Sequence, residues 1–162
     1  MKRRMTNTRI PGFGKVSWIR AASALARLIL GFVFIYASID KILHPGDFAE
    51  IIHNYQILPD LLINPTAIIL PWLELILGAF LLIGIWLPGA VFLTNLLLAV
   101  FLGAMVFNLA RGLDIHCGCF STTVDLGDAA APMVWYVIRD GLFIVPGIFL
   151  LWHTLYSRER AQ

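Results

Sequence analysis

Four stretches of about twenty residues, nearly free of charge, dictate what this chain can become: residues 21–42, 66–87, 90–109 and 132–155. A bilayer core needs about 20 apolar residues at the helical rise of about 1.5 Å. Lipid offers no hydrogen bonds, so backbone groups crossing it must be satisfied within the segment, and each stretch reads as a transmembrane helix. Hydrophobic residues make up 59% of the 162 and charged residues 14%, with a mean hydropathy of +0.82, an apolar excess that a water-exposed surface of this size does not tolerate. The predicted fold class is all-α: a polytopic membrane protein, an antiparallel four-helix transmembrane bundle forming a single membrane domain over residues 1–162.

Orientation follows from the basic residues. Lys2, Arg3, Arg4, Arg9, Lys15 and Arg20 precede the first span, and Arg158 and Arg160 follow the last. The segment 43–65 has no Lys or Arg, and the segment 110–131 has only Arg111 against Asp114, Asp125 and Asp128. The positive-inside rule then puts both termini in the cytoplasm and both longer loops outside an inner (cell) membrane, with Pro88-Gly89 as a tight cytoplasmic turn. The first apolar run is too long for a signal peptide and carries Arg27, so it reads as an uncleaved helix. Within 47–58, Phe48, Ile51, Ile52, Tyr55 and Leu58 recur at helical spacing between polar residues. That pattern predicts a short amphipathic helix along the outer interface, either sealing the bundle or covering a site.

The net charge of +2 is accounted for by topology. The chain has no Gly-rich phosphate loop, no zinc-ligand spacing and no basic-aromatic interleaving, so nucleotide and nucleic-acid partners are not expected. The spans do carry polar groups that a plain bundle would avoid. Arg27, Gly31, Phe34, Ser38 and Lys41 share one face of the first span; Glu74 with Gly78 lies in the second, Asn95 and Asn108 in the third, and Arg139-Asp140 in the fourth. Measured from the predicted span ends, Glu74 and Arg139-Asp140 lie roughly 10 to 13 Å below the outer surface. Ionisable groups at such depth must face the bundle interior and find partners, Glu74 with Lys41 or with Arg139.

Cys117-Gly118-Cys119 supplies the only two cysteines and falls in the loop assigned to the outside. Disulfides persist outside the cytosol, and a ring closed across one glycine is strained and easily reduced. Redox-active thiols lead the readings, beside a permanent structural link and soft-metal binding by the thiolates. His116 would lower a neighbouring thiol pKa when protonated, and Phe120 would anchor the loop at the membrane surface. Two cysteines cannot form two dithiol pairs, so electrons crossing this protein need a carrier other than cysteine.

Arg27-x-x-x-Gly31-x-x-Phe34-x-x-x-Ser38-x-x-Lys41, Pro71-x-x-Glu74-x-x-x-Gly78 with Gly84, Cys117-Gly118-Cys119-Phe120 and Arg139-Asp140 together resemble the MauE/DoxX-type redox-associated membrane proteins. The Cys-Gly-Cys-Phe loop points to the MauE branch, although Ser121 stands where that pattern leads one to expect glycine. The resemblance covers residues 21–155 and implies a thiol-redox role for Cys117 and Cys119 in methylamine-dehydrogenase maturation, beside an extracytoplasmic thioredoxin-fold partner or exported thiol substrate. The expected function is thiol-disulfide oxidoreduction, with a quinone held among Lys41, Glu74, Arg139 and Asp140 as membrane-side carrier and no metal. The alternatives are an assembly factor with a structural disulfide and a Cu(I)-handling protein using both thiolates with His116.

The topology is testable directly. After mild reduction, a membrane-impermeant maleimide should label Cys117 or Cys119 in intact spheroplasts; labelling seen only after lysis inverts the orientation.

Overall fold

The computed structural model of the chain describes residues 13–112 and 133–159. Those residues form α1 (Phe13–Leu43), α2 (Pro45–Asn54), α3 (Asp60–Ile83), α4 (Leu87–Ala110) and α5 (Met133–Glu159), with no strand among them. Four segments are long and apolar enough to cross a membrane: Trp18–Leu43, Asp60–Ile83, Leu87–Ala110 and Val137–Tyr156. The chain is a multi-pass helical membrane protein.

The helices close into a ring in which α1 and α4 each pack on both α3 and α5, and α2 lies over α3 beside the end of α1. Contacts between α1 and α3 run in opposite senses, Arg27 meeting Leu81 and Lys41 meeting Glu74, so the two are antiparallel. They approach closely at two glycines. A Cβ on Gly78 would sit 2.9 Å from the Gly31 carbonyl oxygen, and one on Gly31 would sit 2.7 Å from Leu82 Cδ2. In lipid there is little hydrophobic drive between helices, so such backbone proximity is what lets van der Waals packing hold them.

The helix ends differ from the sequence expectation in two ways. The connection after α3 is not Pro88-Gly89 but the turn of residues 84–86. Gly84 takes φ 84 and returns its N–H to the Phe80 carbonyl at 2.8 Å, a left-handed C-cap that glycine enters without strain. Trp86 is left-handed too, and Pro88 falls in the first turn of α4, where a missing N–H costs nothing. Second, α3 begins at Asp60, well before Thr66, and carries Pro65 and Pro71 inside it. Its first turns rise beyond the end of α1 and pack on α2, which places Glu74 about 21 Å along its helix and level with Lys41 near the end of α1.

The interior is segregated along the axis. Leu30, Phe34, Leu77, Leu81, Val91 and Leu150 form an apolar core toward the α3–α4 turn, while buried Lys41, Glu74 and Asp140 lie toward the end where α4 finishes and α5 starts. Trp18, Trp86 and Trp152, all largely exposed, gather toward the turn end as an aromatic belt would. Asn95 joins α4 to α5 by donating from Nδ2 to the Gly147 carbonyl at 3.0 Å, and a Cβ on Gly147 would meet its Oδ1 at 2.5 Å.

Packing at the α1–α3 crossing predicts a contrast between two glycines. Gly78→Ala should destabilise the detergent-solubilised protein by about 1–3 kcal/mol, because backbone rather than a flexible side chain must yield. Gly103→Ala, with nothing within 4 Å of its added methyl, should not lower the thermal midpoint.

Candidate functional site

Helical side chains lean toward their own N-terminus. Lys41, near the end of α1, therefore points down into the bundle, and Glu74 on the antiparallel α3 points up toward it. They meet as a two-pronged pair: Nζ donates to Oε1 at 2.9 Å and to Oε2 at 2.8 Å, with both side chains about 95% removed from solvent, at 4% and 5% exposure. Two aromatic rings complete the enclosure of the ammonium. Phe48 of α2 and Phe101 of α4 hold their centroids 5.1 and 5.0 Å from Nζ, within cation–π range.

Asp140 of α5 lines the same small cavity as Lys41, Glu74 and Phe101. Neighbours on a helix point about 100° apart, yet the Arg139 guanidinium bends back so that Nε donates to Asp140 Oδ1 at 2.9 Å. Of the two partners open to Glu74, the fold selects Lys41, and Arg139 is paired with Asp140. The result is two opposite-charge pairs with no net charge. The space among them is about 50 Å³, room for a water molecule or two.

Other residues singled out from the sequence separate from this centre. Arg27 lies about 21 Å along α1 from Lys41. There its Nε and Nη2 both donate at 3.1 Å to the Leu81 carbonyl, at the C-terminus of α3 where the helix dipole favours a cation. Ser38 turns its hydroxyl to the Ile35 carbonyl at 2.8 Å. Asn108 is fully buried near the end of α4, and neither of its amide atoms has a hydrogen-bond partner among the described residues. Cys117, Cys119, His116 and Phe120 lie outside the described residues.

A second cavity of about 210 Å³ lies beneath α2, between α3 and α4, and Phe48 and Phe101 form part of its wall too. Sequence reasoning missed Phe101 because it sits in an uninterrupted apolar run. Phe48 was visible as part of the amphipathic pattern at 47–58, whose helical part is Pro45–Asn54. Above these elements, Arg111 Nη2 donates to Gln56 Oε1 at 3.1 Å and links the end of α4 to the segment joining α2 to α3.

Comparison with known proteins assigns the chain to a group. Residues 19–153 match the family profile described as "Methylamine utilisation protein MauE". Proteins named methylamine utilization protein MauE are 31% identical over 120 residues in Paracoccus denitrificans (73% of this chain, 61% of the relative) and 34% identical over 99 residues in Methylorubrum extorquens (60% and 53%). The one from Methylophilus methylotrophus is 35% identical over 95 residues, 58% of this chain and 50% of that protein. The chain thus spans between half and about three-fifths of the length of these curated relatives. No solved structure matches it.

The buried pair generates a stability prediction. Lys41→Gln or Glu74→Gln alone leaves one charge unpaired inside the bundle and should cost about 3–5 kcal/mol, seen as loss of monodisperse protein in detergent. Lys41→Met with Glu74→Leu should recover much of it. Simple addition of the two single losses would mean that the residues are not coupled.

Proposed function

This chain belongs to the MauE family, and we propose that it is a membrane thiol-disulfide exchange protein of methylamine utilisation, acting through Cys117 and Cys119 on an extracytoplasmic thioredoxin-fold partner or exported thiol substrate. The observation that supports this reading is positional. The two cysteines fall in the connection between α4 and α5, and the paired charges of the bundle gather at the end where those two helices meet that connection.

The chemistry runs in the oxidising direction, because strain in a one-residue disulfide ring raises its potential. A partner thiolate attacks one sulfur of the Cys117–Cys119 disulfide, forming a mixed disulfide and releasing the other cysteine as thiolate. The partner's second thiolate then attacks the mixed disulfide, so the partner leaves oxidised and both cysteines are left reduced. Re-forming their S–S bond releases two electrons and two protons, which pass to a quinone in the bilayer. Lys41–Glu74 and Arg139–Asp140 pair their charges inside the bundle at that end and hold its helices in register. The product is a disulfide in an exported protein, the need that maturation of a disulfide-rich methylamine dehydrogenase subunit presents.

Protein in lipid nanodiscs should reduce decylubiquinone when supplied with a dithiol, and Cys117→Ser with Cys119→Ser should abolish that rate. One of the single serine variants should accumulate a mixed disulfide with a thioredoxin-fold dithiol. Full activity in the double serine variant would make the pair a structural link and overturn the assignment.

A further inference from the structure

The proposed carrier needs a seat, and the two cavities differ in what they can hold. A dry cavity of about 150 Å³ lined by aliphatic and aromatic side chains takes up benzene, which sets the scale for a six-membered ring. The space among Lys41, Glu74 and Asp140 is about 50 Å³, too small for such a ring, and both carboxylates there are already ion-paired. The cavity beneath α2 is about 210 Å³.

Its lining has the matching chemistry. Phe48, Leu97, Phe101 and Ala104 give apolar and aromatic surface for a flat ring, no charged side chain among the described residues lines it, and the hydroxyl-bearing ones are Tyr55 and Thr66. An uncharged ring with a few hydrogen-bond acceptors fits that composition, whereas an ion does not. The lining includes Ile57 and Val100, both exposed, so the cavity opens on the outer surface of the bundle, and Val100 belongs to the apolar, membrane-length helix α4.

We propose that the cavity beneath α2 is the quinone seat of this protein, with Thr66 as a group that holds a ring oxygen and Phe48 and Phe101 as the wall between the ring and the Lys41–Glu74 pair. This rests on the thiol-disulfide reading for its ligand, while the cavity itself does not. Lys41 and Glu74 are then positioning residues: their ion pair fixes the two aromatic rings from behind, and they do not touch the ligand. The amphipathic helix predicted from the sequence as seal or cover becomes the roof of a binding site.

Full-length protein in phosphatidylcholine nanodiscs, labelled with an azido-ubiquinone photoprobe and mapped by peptide mass spectrometry, tests this. Labelling should fall on residues 48–58 and 97–104 and be displaced by decylubiquinone. Ala104→Phe, which fills the cavity, and Thr66→Val, which removes a donor at nearly constant volume, should each weaken labelling about tenfold. Gly103→Ala, directed to open space, serves as control. Labelling centred on Asp140, or unchanged in folded Thr66→Val and Ala104→Phe proteins, overturns the seat. Labelling in the cavity without dithiol-driven quinone reduction upholds the seat and overturns the redox function.

Discussion

A lysine and a glutamate facing each other inside a low-dielectric bundle organise this molecule. Neither ion survives alone in lipid, so α1 and α3 are held at the register in which Nζ reaches both carboxylate oxygens. Phe48 from α2 and Phe101 from α4 close around the same ammonium. Asp140 brings α5 to the same cavity. Five helices thus converge on one side chain, and the remaining architecture is arranged so that the convergence is possible. The Gly31–Gly78 crossing brings α1 and α3 close enough, and the early start of α3 lifts its first turns to support α2.

Placing the charges toward one end and the apolar core toward the other divides the work of the bundle. Leu30, Leu77, Leu81 and Leu150 supply close packing, and the polar groups among them, Arg27, Asn95 and Thr154, spend their donors on backbone carbonyls. Toward the other end, shape is set by directional contacts that tolerate neighbouring empty space. Both described cavities lie against Phe101, whose ring separates them.

The spans were legible because lipid imposes a length and forbids charge, and both constraints are written in composition. The polar face Arg27 to Lys41 was legible as a helical repeat, but its unity was not: Arg27 caps the end of α3 while Lys41 pairs at the other end. The choice of Lys41 over Arg139 as partner for Glu74 was hidden because it depends on where α3 begins. Asp60 opens that helix behind Pro59 despite a proline a few residues later, a tertiary decision made by packing against α2. Phe101 was illegible for another reason. The helix carrying it is apolar over residues 96–107, and the face that Phe101 shares with Thr94 and Asn108 at seven-residue spacing is marked by those two polar residues alone.

Arg27 and Lys41 both belong to the first span, and both find their partners on α3: the Leu81 carbonyl and the Glu74 carboxylate. During synthesis the first helix leaves the insertion machinery with Arg27 and Lys41 still lacking the acceptors that α3 supplies. Each carries a penalty of about 2.5–3.5 kcal/mol at a helix centre, less near the surface. The third helix removes both penalties when it arrives, antiparallel and in a single register. Insertion of this protein is therefore a cooperative event of α1 with α3, and the chain between them, including α2, must stay long and soluble enough to let the second partner reach the first.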